Sequence, residues 1–318
     1  MTDRHAYMTR INRVIDHIDA HLDAPLNLDT LASIAHVSSW HFHRVFQALT
    51  GETLAQRVRR RRLEVAANRL LLSPREPALR IALDVGFASA EVFSRTFKAH
   101  FGCTPTTWRR TGHREWAEHR RTELSKIHQD DRNAHQAASV GFLHDEEAWP
   151  RSATARPRES VQVRIRTLPP VRVAYMRHVG PYGSSGLTRM WQRFAAWTTE
   201  NGLMTPRRTM YGVSHDSPDL TSSDKLRYDA CIEVGDSFAA VGEVGVQSLP
   251  GGRYACMPFI GTSLEIHSAW MRFVSEWLPG SVYQCDDRDA IEVYDRDFAV
   301  DPVTSAFGCT LCIPIRPA

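Results

Sequence analysis

With 318 residues and ordinary shares of apolar and charged side chains, the chain is too long for one typical domain and too apolar for wholesale disorder. No run approaches the roughly eighteen uninterrupted apolar residues that a membrane helix needs. The polar opening Met1-Thr2-Asp3-Arg4-His5 has no apolar signal region behind it, so the expectation is a cytoplasmic protein without a membrane partner. The net charge of +3 divides unevenly. Residues 1–112 carry 16 Lys and Arg against 10 Asp and Glu, and the remainder 23 against 26, which points to a nucleic-acid-binding part joined to a part with another task.

From Leu28 to Arg110 the pattern is one of short helices broken by tight turns. Leu28, Leu31, Ile34 and Ala35 recur at helical spacing, His36-Val37-Ser38 interrupts, and Ser39 is in place to cap the next helix. There Phe42, Val45, Phe46 and Leu49 fall on one face, and Trp40, His43, Arg44 and Gln47 on the other, with Gly51 as the stop. A helix, a short turn and a second helix with a donor-rich outer face is what major-groove reading requires. A shift of 51 residues repeats the pattern: Leu28 falls on Leu79, Ile34 on Val85, Ser38 on Ser89, Phe42 on Phe93, Arg44 on Arg95, Phe46 on Phe97 and Gly51 on Gly102. Between the copies, Thr53 to Leu72 lacks Gly and Pro. As a helix it spans roughly 30 Å, close to one DNA turn of about 34 Å, so both outer helices would reach successive major grooves. Its basic run, Arg59 to Arg62, fits either phosphate contact or a solvated helix face.

The run Ile81-Ala82-x3-Gly86-Phe87-x-Ser89-x3-Phe93-Ser94-Arg95-x-Phe97-Lys98-x3-Gly102-x2-Pro105 resembles the signature of the AraC/XylS family of transcription regulators, over about residues 8 to 112. Ser39-Trp40-His41-Phe42-His43-Arg44 is similar to the first recognition helix of the subgroup that holds multidrug- and stress-response regulators. The resemblance implies base contacts from Trp40, His43 and Arg44, and from Ala90, Glu91, Ser94 and Arg95 in the second helix; Gln47 lies on the same outer face as the first set. It also implies double-stranded DNA and RNA polymerase as partners and an activator's role. Arg44 and Arg95 each suit a bidentate contact to guanine. Glu91 suits cytosine N4 or plain solvation. Where the subgroup tends to carry glutamines this chain has His43, Ala90 and Glu91, so its operator need not match.

Residues 113–160 lose the repeat. His113 to His128 is charged enough to continue as a helix, and Gln129 to Ser160 reads as a tether with scattered anchors at Val140, Phe142, Leu143 and Trp149. The expected division is 1–112 for DNA binding, 113–160 as linker and 161–318 as a second domain.

From Val161 the texture changes to alternating strands (Val161-x-Val163-x-Ile165, Val171-x-Val173-x-Tyr175) and a helix over Leu187 to Trp197, with Met190, Trp191 and Phe194 inward. A shift of 81 places Leu168-Pro169 on Leu249-Pro250, Arg172 on Arg253, Met176 on Met257 and Gly180 on Gly261; a shift of 79 places Trp191 on Trp270 and Phe194 on Phe273. The fold class is therefore an all-α N-terminal domain with two helix-turn-helix units, followed by an α+β domain of two pseudo-symmetric strand-helix-strand-strand repeats with a cleft between them. Cys309 and Cys312 form a lone Cys-x-x-Cys inside a strand, where positions three apart face opposite ways, so buried thiols are expected rather than a metal knuckle. No metal or other cofactor is called for.

This half resembles the GyrI-like small-molecule-binding domain, over about residues 161 to 318. The run Ala290-Ile291-Glu292-Val293-Tyr294-Asp295 resembles that family's strand with a pocket carboxylate, which implies Glu292 as the ligand-binding acid and a small-molecule effector as partner. Strand alternation puts Glu292 and Tyr294 on one face, and the 81-residue shift brings Tyr211 opposite Glu292, a setting for a lipophilic cation. The expected function is a ligand-responsive transcription regulator, not an enzyme. Two other classes stay open: a hydrolase with Glu292 as base, and a ligand-free protein-interaction module.

Overall fold

The computed structural model describes residues 2–73, 75–120, 122, 162–205, 208–240, 242–262, 265–286, 288–294, 300–301 and 306–317. The anchors at Val140, Phe142, Leu143 and Trp149, and Asp295 of the quoted strand motif, lie outside the described residues.

The N-terminal part is all helical. Helix α1 (Thr2–Ala20) precedes the first unit, α2 (Leu28–Ile34) and α3 (Ser39–Thr50). A long helix, α4 (Leu54–Leu72), leads to the second unit, α5 (Ala78–Asp84) and α6 (Ala90–Phe101). Helix α7 (Pro105–Thr107) runs on through a wide π turn, Trp108–Gly112, into helical residues 113–120, the helical continuation that the charged stretch from His113 allows. Helix α1 lies before the repeat that begins at Leu28, and its Ile11, Val14, Ile15 and Ile18 close the first core over Leu31, Phe42 and Phe46. The second core gathers Ile81, Phe93, Phe97, Phe101 and Trp108, and Val65 of α4 packs on both. At about 1.5 Å per residue, the 19 residues of α4 hold the two units about 28 Å apart along its axis. Its N-terminus carries a capping box in which Thr53 and Gln56 satisfy each other's backbone N–H.

The C-terminal part is a nine-stranded sheet in which every pairing is antiparallel. Its strands are β1 (Arg164–Leu168), β2 (Val171–Val179), β3 (Met210–Ser214), β4 (Arg227–Glu233), β5 (Gly245–Leu249), β6 (Gly252–Gly261), β7 (Tyr283–Cys285), β8 (Ala290–Tyr294) and β9 (Phe307–Pro317). The spatial order is β1-β6-β9-β8-β3-β4-β2-β5, with β7 beside β9. Helices α8 (Ser185–Glu200) and α9 (Ile266–Arg272) cover one face, where Met190, Phe194, Ala269 and Phe273 meet Ala230, Ile232, Leu311 and Ile313. The other face carries Val173, Tyr175, Val213, Cys231 and Ile291. It is covered as well: Tyr175 and Arg177 reach Asp16 of α1. Cys309 and Cys312 are buried on opposite faces, the first in the helix-side core and the second in the other.

Candidate DNA-reading face and carboxylate cluster

The two recognition helices are built alike. Ser38 and Ser89 cap α3 and α6 by accepting from the backbone N–H groups of His41 and Val92, at 3.4 and 3.3 Å. The cap is Ser38 and not the expected Ser39, whose hydroxyl donates instead to Asp29 at 2.5 Å. Gly51 and Gly102 end the helices at φ +68° and +75°, each N–H returning to the carbonyl four residues back.

The repeat is not a uniform shift of 51. Helices α2 and α5 differ by 50 residues, with Leu31 matching Ile81 and Ala32 matching Ala82 in the two cores, whereas α3 and α6 differ by 51. The linking turn has four residues in the first unit and five in the second. The expected match of Leu28 with Leu79 therefore fails: Leu28 packs on the first core, while Leu79 is 50% exposed.

All the side chains expected to read bases are accessible. Trp40, His43, Arg44, Gln47, Glu91, Ser94 and Arg95 are exposed and Ala90 is half-buried. Trp40 is 68% exposed, with the Arg44 guanidinium 5.5 Å from its ring centroid. That cation–π contact fixes both side chains on the outer face. Between the units lies an open groove of about 1020 Å³ with His43 on one wall, Arg95 on the other and Arg59 between.

Of the basic run in α4, only Arg59 is exposed. Arg60 pairs with Glu52 at 2.7 Å and Glu64 at 3.0 Å. Arg61 pairs with Glu64 at 2.8 Å, Asp19 at 3.1 Å and Asp216 at 2.6 Å. Arg62 donates to the carbonyls of Leu22 and Gly86, at 2.9 and 2.6 Å, and so holds α1 to the second turn. Both alternatives drawn from the sequence thus fail for Arg60 to Arg62, which are engaged inside the protein. Arg59 is exposed to the groove; Arg62 also lines it, with its guanidinium committed to the two carbonyls.

In the sheet, Glu292 is 5% exposed and accepts three hydrogen bonds: from Tyr228 Oη at 2.5 Å, Tyr294 Oη at 2.7 Å and Trp270 Nε1 at 3.2 Å. Trp191 closes the group with its ring centroid 5.3 Å from that of Tyr294 and 6.1 Å from that of Tyr228. Burial and the neighbouring carboxylate push the Tyr228 and Tyr294 hydroxyls well above the ordinary phenol range, so both remain donors. The three donors are uncharged, and a carboxylate has about four acceptor positions. The buried carboxyl is left with room for one further partner.

Tyr294 falls where alternation placed it, but Tyr211 does not. The β3–β8 ladder pairs Gly212 with Glu292 and Tyr211 with Val293, so Tyr211 stands on the opposite face beside Val213 and Ile291. The 81-residue shift was one residue off at this strand, and one residue reverses the face. Gly212 makes the cluster possible: a Cβ there would lie 1.9 Å from Tyr228 Oη and 2.6 Å from Glu292 Oε2. Tyr228 was not found from the sequence. Trp191, expected inward, and its repeat partner Trp270 both pack on the helix-side core as well as on this cluster.

Two exposed recognition helices at the ends of one connecting helix define a DNA-binding transcription regulator of the AraC type. Comparison with known proteins agrees. A helix-turn-helix domain family matches residues 31–111, and the GyrI-like small molecule binding domain matches residues 161–316. The regulatory protein SoxS of Salmonella typhimurium is 40% identical over 99 residues, 31% of this chain and 92% of that protein. The right origin-binding protein of Escherichia coli is 42% identical over 100 residues, 31% of this chain but 34% of that relative. Among solved structures, the DNA-binding domain of AdpA in complex with a target DNA is 28% identical, with a TM-score of 0.29, covering 31% of this chain and 88% of that one. The EcmrR C-terminal domain is 14% identical, with a TM-score of 0.41, covering 50% of this chain and 99% of that one. The chain belongs to the AraC-type helix-turn-helix regulators and carries a GyrI-like domain in its C-terminal half.

Proposed function

We propose that this protein is a ligand-responsive regulator whose C-terminal domain binds a small lipophilic cation at Glu292. The observation that carries the reading is the buried Glu292 carboxylate, held among Trp191, Tyr228, Trp270 and Tyr294 with only uncharged donors among its hydrogen bonds. A buried charge without a counter-charge is costly, and aromatic faces attract organic cations. A planar or aryl-substituted cation answers both. Two repeats related by a pseudo-two-fold axis are supported by the strand order, which reads alike from both ends when β1 is exchanged with β5, β2 with β6, β3 with β8 and β4 with β9. The axis then falls between β3 and β8, beside Glu292.

On the DNA side, α3 and α6 read a bipartite site in two successive major grooves of one duplex, through Trp40, His43, Arg44 and Gln47 in one half and Ala90, Glu91, Ser94 and Arg95 in the other. From there the regulator acts as an activator on RNA polymerase, in the cytoplasm at the nucleoid. A division into a DNA-binding part and a C-terminal effector domain from 161 serves this arrangement, with the helix of the first part running on through 113–120, and the resemblance of the first part to regulators supports a non-enzymatic role.

The test is selection of binding sites from random duplexes with wild type, Arg44→Ala and Arg95→Ala, beside a fluorescence titration of the full chain with tetraphenylphosphonium. The expected site has two halves about one turn apart. Each substitution relaxes preference in its own half by about 1–3 kcal/mol, and the cation quenches the tryptophans in wild type but not in Glu292→Gln. Salt-sensitive binding without sequence preference sinks the DNA reading. Equal quenching in both proteins sinks the effector site.

A further inference from the structure

The segment joining β3 to β4, residues 215–226, belongs to the C-terminal domain by sequence but is seated in the DNA-binding part. Leu220, 8% exposed, packs in the core of the second helix-turn-helix unit with Phe97 and Trp108. The Thr221 carbonyl accepts from Arg120. Lys225 Nζ donates to the carbonyl of Thr50 at 2.8 Å, at the C-terminal end of the first recognition helix, where a cation offsets the helix dipole. Asp216 and Arg227 at the base of the segment pair with each other at 2.8 Å and reach Arg61 of α4 and Asp19 of α1 respectively. The segment thus touches the helix that spaces the two units, the end of α3 and the core behind α6, and Arg227, the first residue of β4, adds the contact with α1.

The strand that follows has two faces with two connections. Arg227 and Asp229 point toward α1: Arg177 bridges Asp229 and Asp16, both at 2.7 Å, and His215 is 2.7 Å from Asp229. Burial opposes a charge on His215, but Asp229 and Asp289 outweigh it and push its pKa up to about 9, so His215 keeps its proton near neutrality. Tyr228, between Arg227 and Asp229 in sequence, points the other way and donates to Glu292. Tyr182 ties the two levels together, its hydroxyl 2.8 Å from the Arg227 carbonyl and its ring 6.2 Å from that of Tyr228.

We infer that residues 215–226 are a docking arm that seats the C-terminal domain across both helix-turn-helix units, and that β4 carries the state of the Glu292 cluster to that arm. The coupling rests on the function proposed above in taking Glu292 as the effector site; the docking does not. Chemistry suits a reversible contact. Buried ion pairs add little net stability over apolar packing, and their members are readily rehydrated when they part. A large apolar seam is not readily parted, and Leu220 is the one buried apolar side chain the arm sets into the second core. A ligand that draws Glu292 or Tyr228 from its present position moves β4, and with it the Arg227 and Asp216 contacts that brace α1 against α4.

Amide hydrogen exchange on the full chain, free of DNA and ligand, tests this. Tyr228→Phe removes the hydroxyl link on the cluster side and leaves the arm's own residues in place. Exchange in 216–226 and in α1 is expected to accelerate at least about five-fold. Acceleration confined to β8, α8 and α9 overturns the coupling. Asp216→Asn, on the arm side, is expected to accelerate α1 and the first half of α4; unchanged exchange there overturns the docking. Should that variant lose its cooperative melt, Lys225→Ala reads the same docking at the last turn of α3. Failure of the effector reading registers elsewhere, as absent quenching by tetraphenylphosphonium, and leaves these comparisons intact.

Discussion

Ala32 and Ala82, Phe42 and Phe93, Phe46 and Phe97 fill matching places in the two helix-turn-helix units, yet the turns between their helices are solved by different residues. The first turn has four residues and puts His36 at φ +53°; the second has five and puts Gly86 at φ +91°. Both residues return an N–H three positions back, from His36 to Ser33 and from Gly86 to Leu83. The surroundings decide the residue. His36 is exposed and its side chain has room, so the first turn tolerates a residue of a type found in the left-handed region. At Gly86 a Cβ would meet the Leu22 carbonyl at 2.3 Å and the Arg62 guanidinium at 2.7 Å. The two units also differ in how the core is closed: by α1 in the first, by Trp108 and the borrowed Leu220 in the second.

The largest expected effect comes from forcing the second turn to carry a side chain. Gly86→Ala adds left-handed strain of about 1–2 kcal/mol to a clash with backbone, which by comparison with overpacked cores costs about 1–3 kcal/mol more. It also disturbs the Arg62 bridge between Leu22 and Gly86. Thermal or urea unfolding of the full chain is expected to show a loss of about 2–5 kcal/mol. A loss below about 0.5 kcal/mol, the range of ordinary surface substitutions, means that the close approach at Gly86 relaxes freely.

Next comes the borrowed leucine. Leu220→Ala removes a buried side chain at a contact between two parts, where the low end of the range for core leucines, about 2 kcal/mol, is expected. The comparison between units makes the location of the loss informative. Exchange is expected to rise in α5 and α6 while α2 and α3 stay as in wild type, because Leu220 packs in the second core and not the first. A uniform rise in both units means that the two cores unfold as one body through α4.

How much of this was legible follows from which faces meet water. The recognition helices are amphipathic against solvent, so Phe42 and Phe46 separate from Trp40 and Arg44 by spacing alone, and those outer residues are exposed as read. The turn was misread because the polar caps Ser38 and Ser89 sit 51 apart and drew the whole alignment with them, concealing the extra residue. Strand β4 carried no clear signal, since both its faces are buried. Arg227 and Asp229 are charged because they face Asp19 and Arg177, not water, and a charged residue alternating with Tyr228 and Ala230 looks like an exposed edge. Arg61 misled in the same way: beyond Glu64 one turn along its own helix, its partners Asp19 and Asp216 lie far away in the chain, and only the fold brings them to it.

The smallest expected effect tests the comparison from the other side. His36→Gly removes left-handed strain of about 1–2 kcal/mol, but glycine also enlarges the unfolded ensemble, which takes back about 0.5–1 kcal/mol. Among the described residues no hydrogen bond of the His36 side chain sets against this, and its side chain is exposed. Unfolding is therefore expected to shift by about 0–1.5 kcal/mol toward greater stability, in contrast to the loss at Gly86 for the reverse exchange of side-chain bulk. A loss above about 2 kcal/mol would show that the imidazole at position 36 holds the first turn through contacts of its own, and that the two turns differ in more than the space around them.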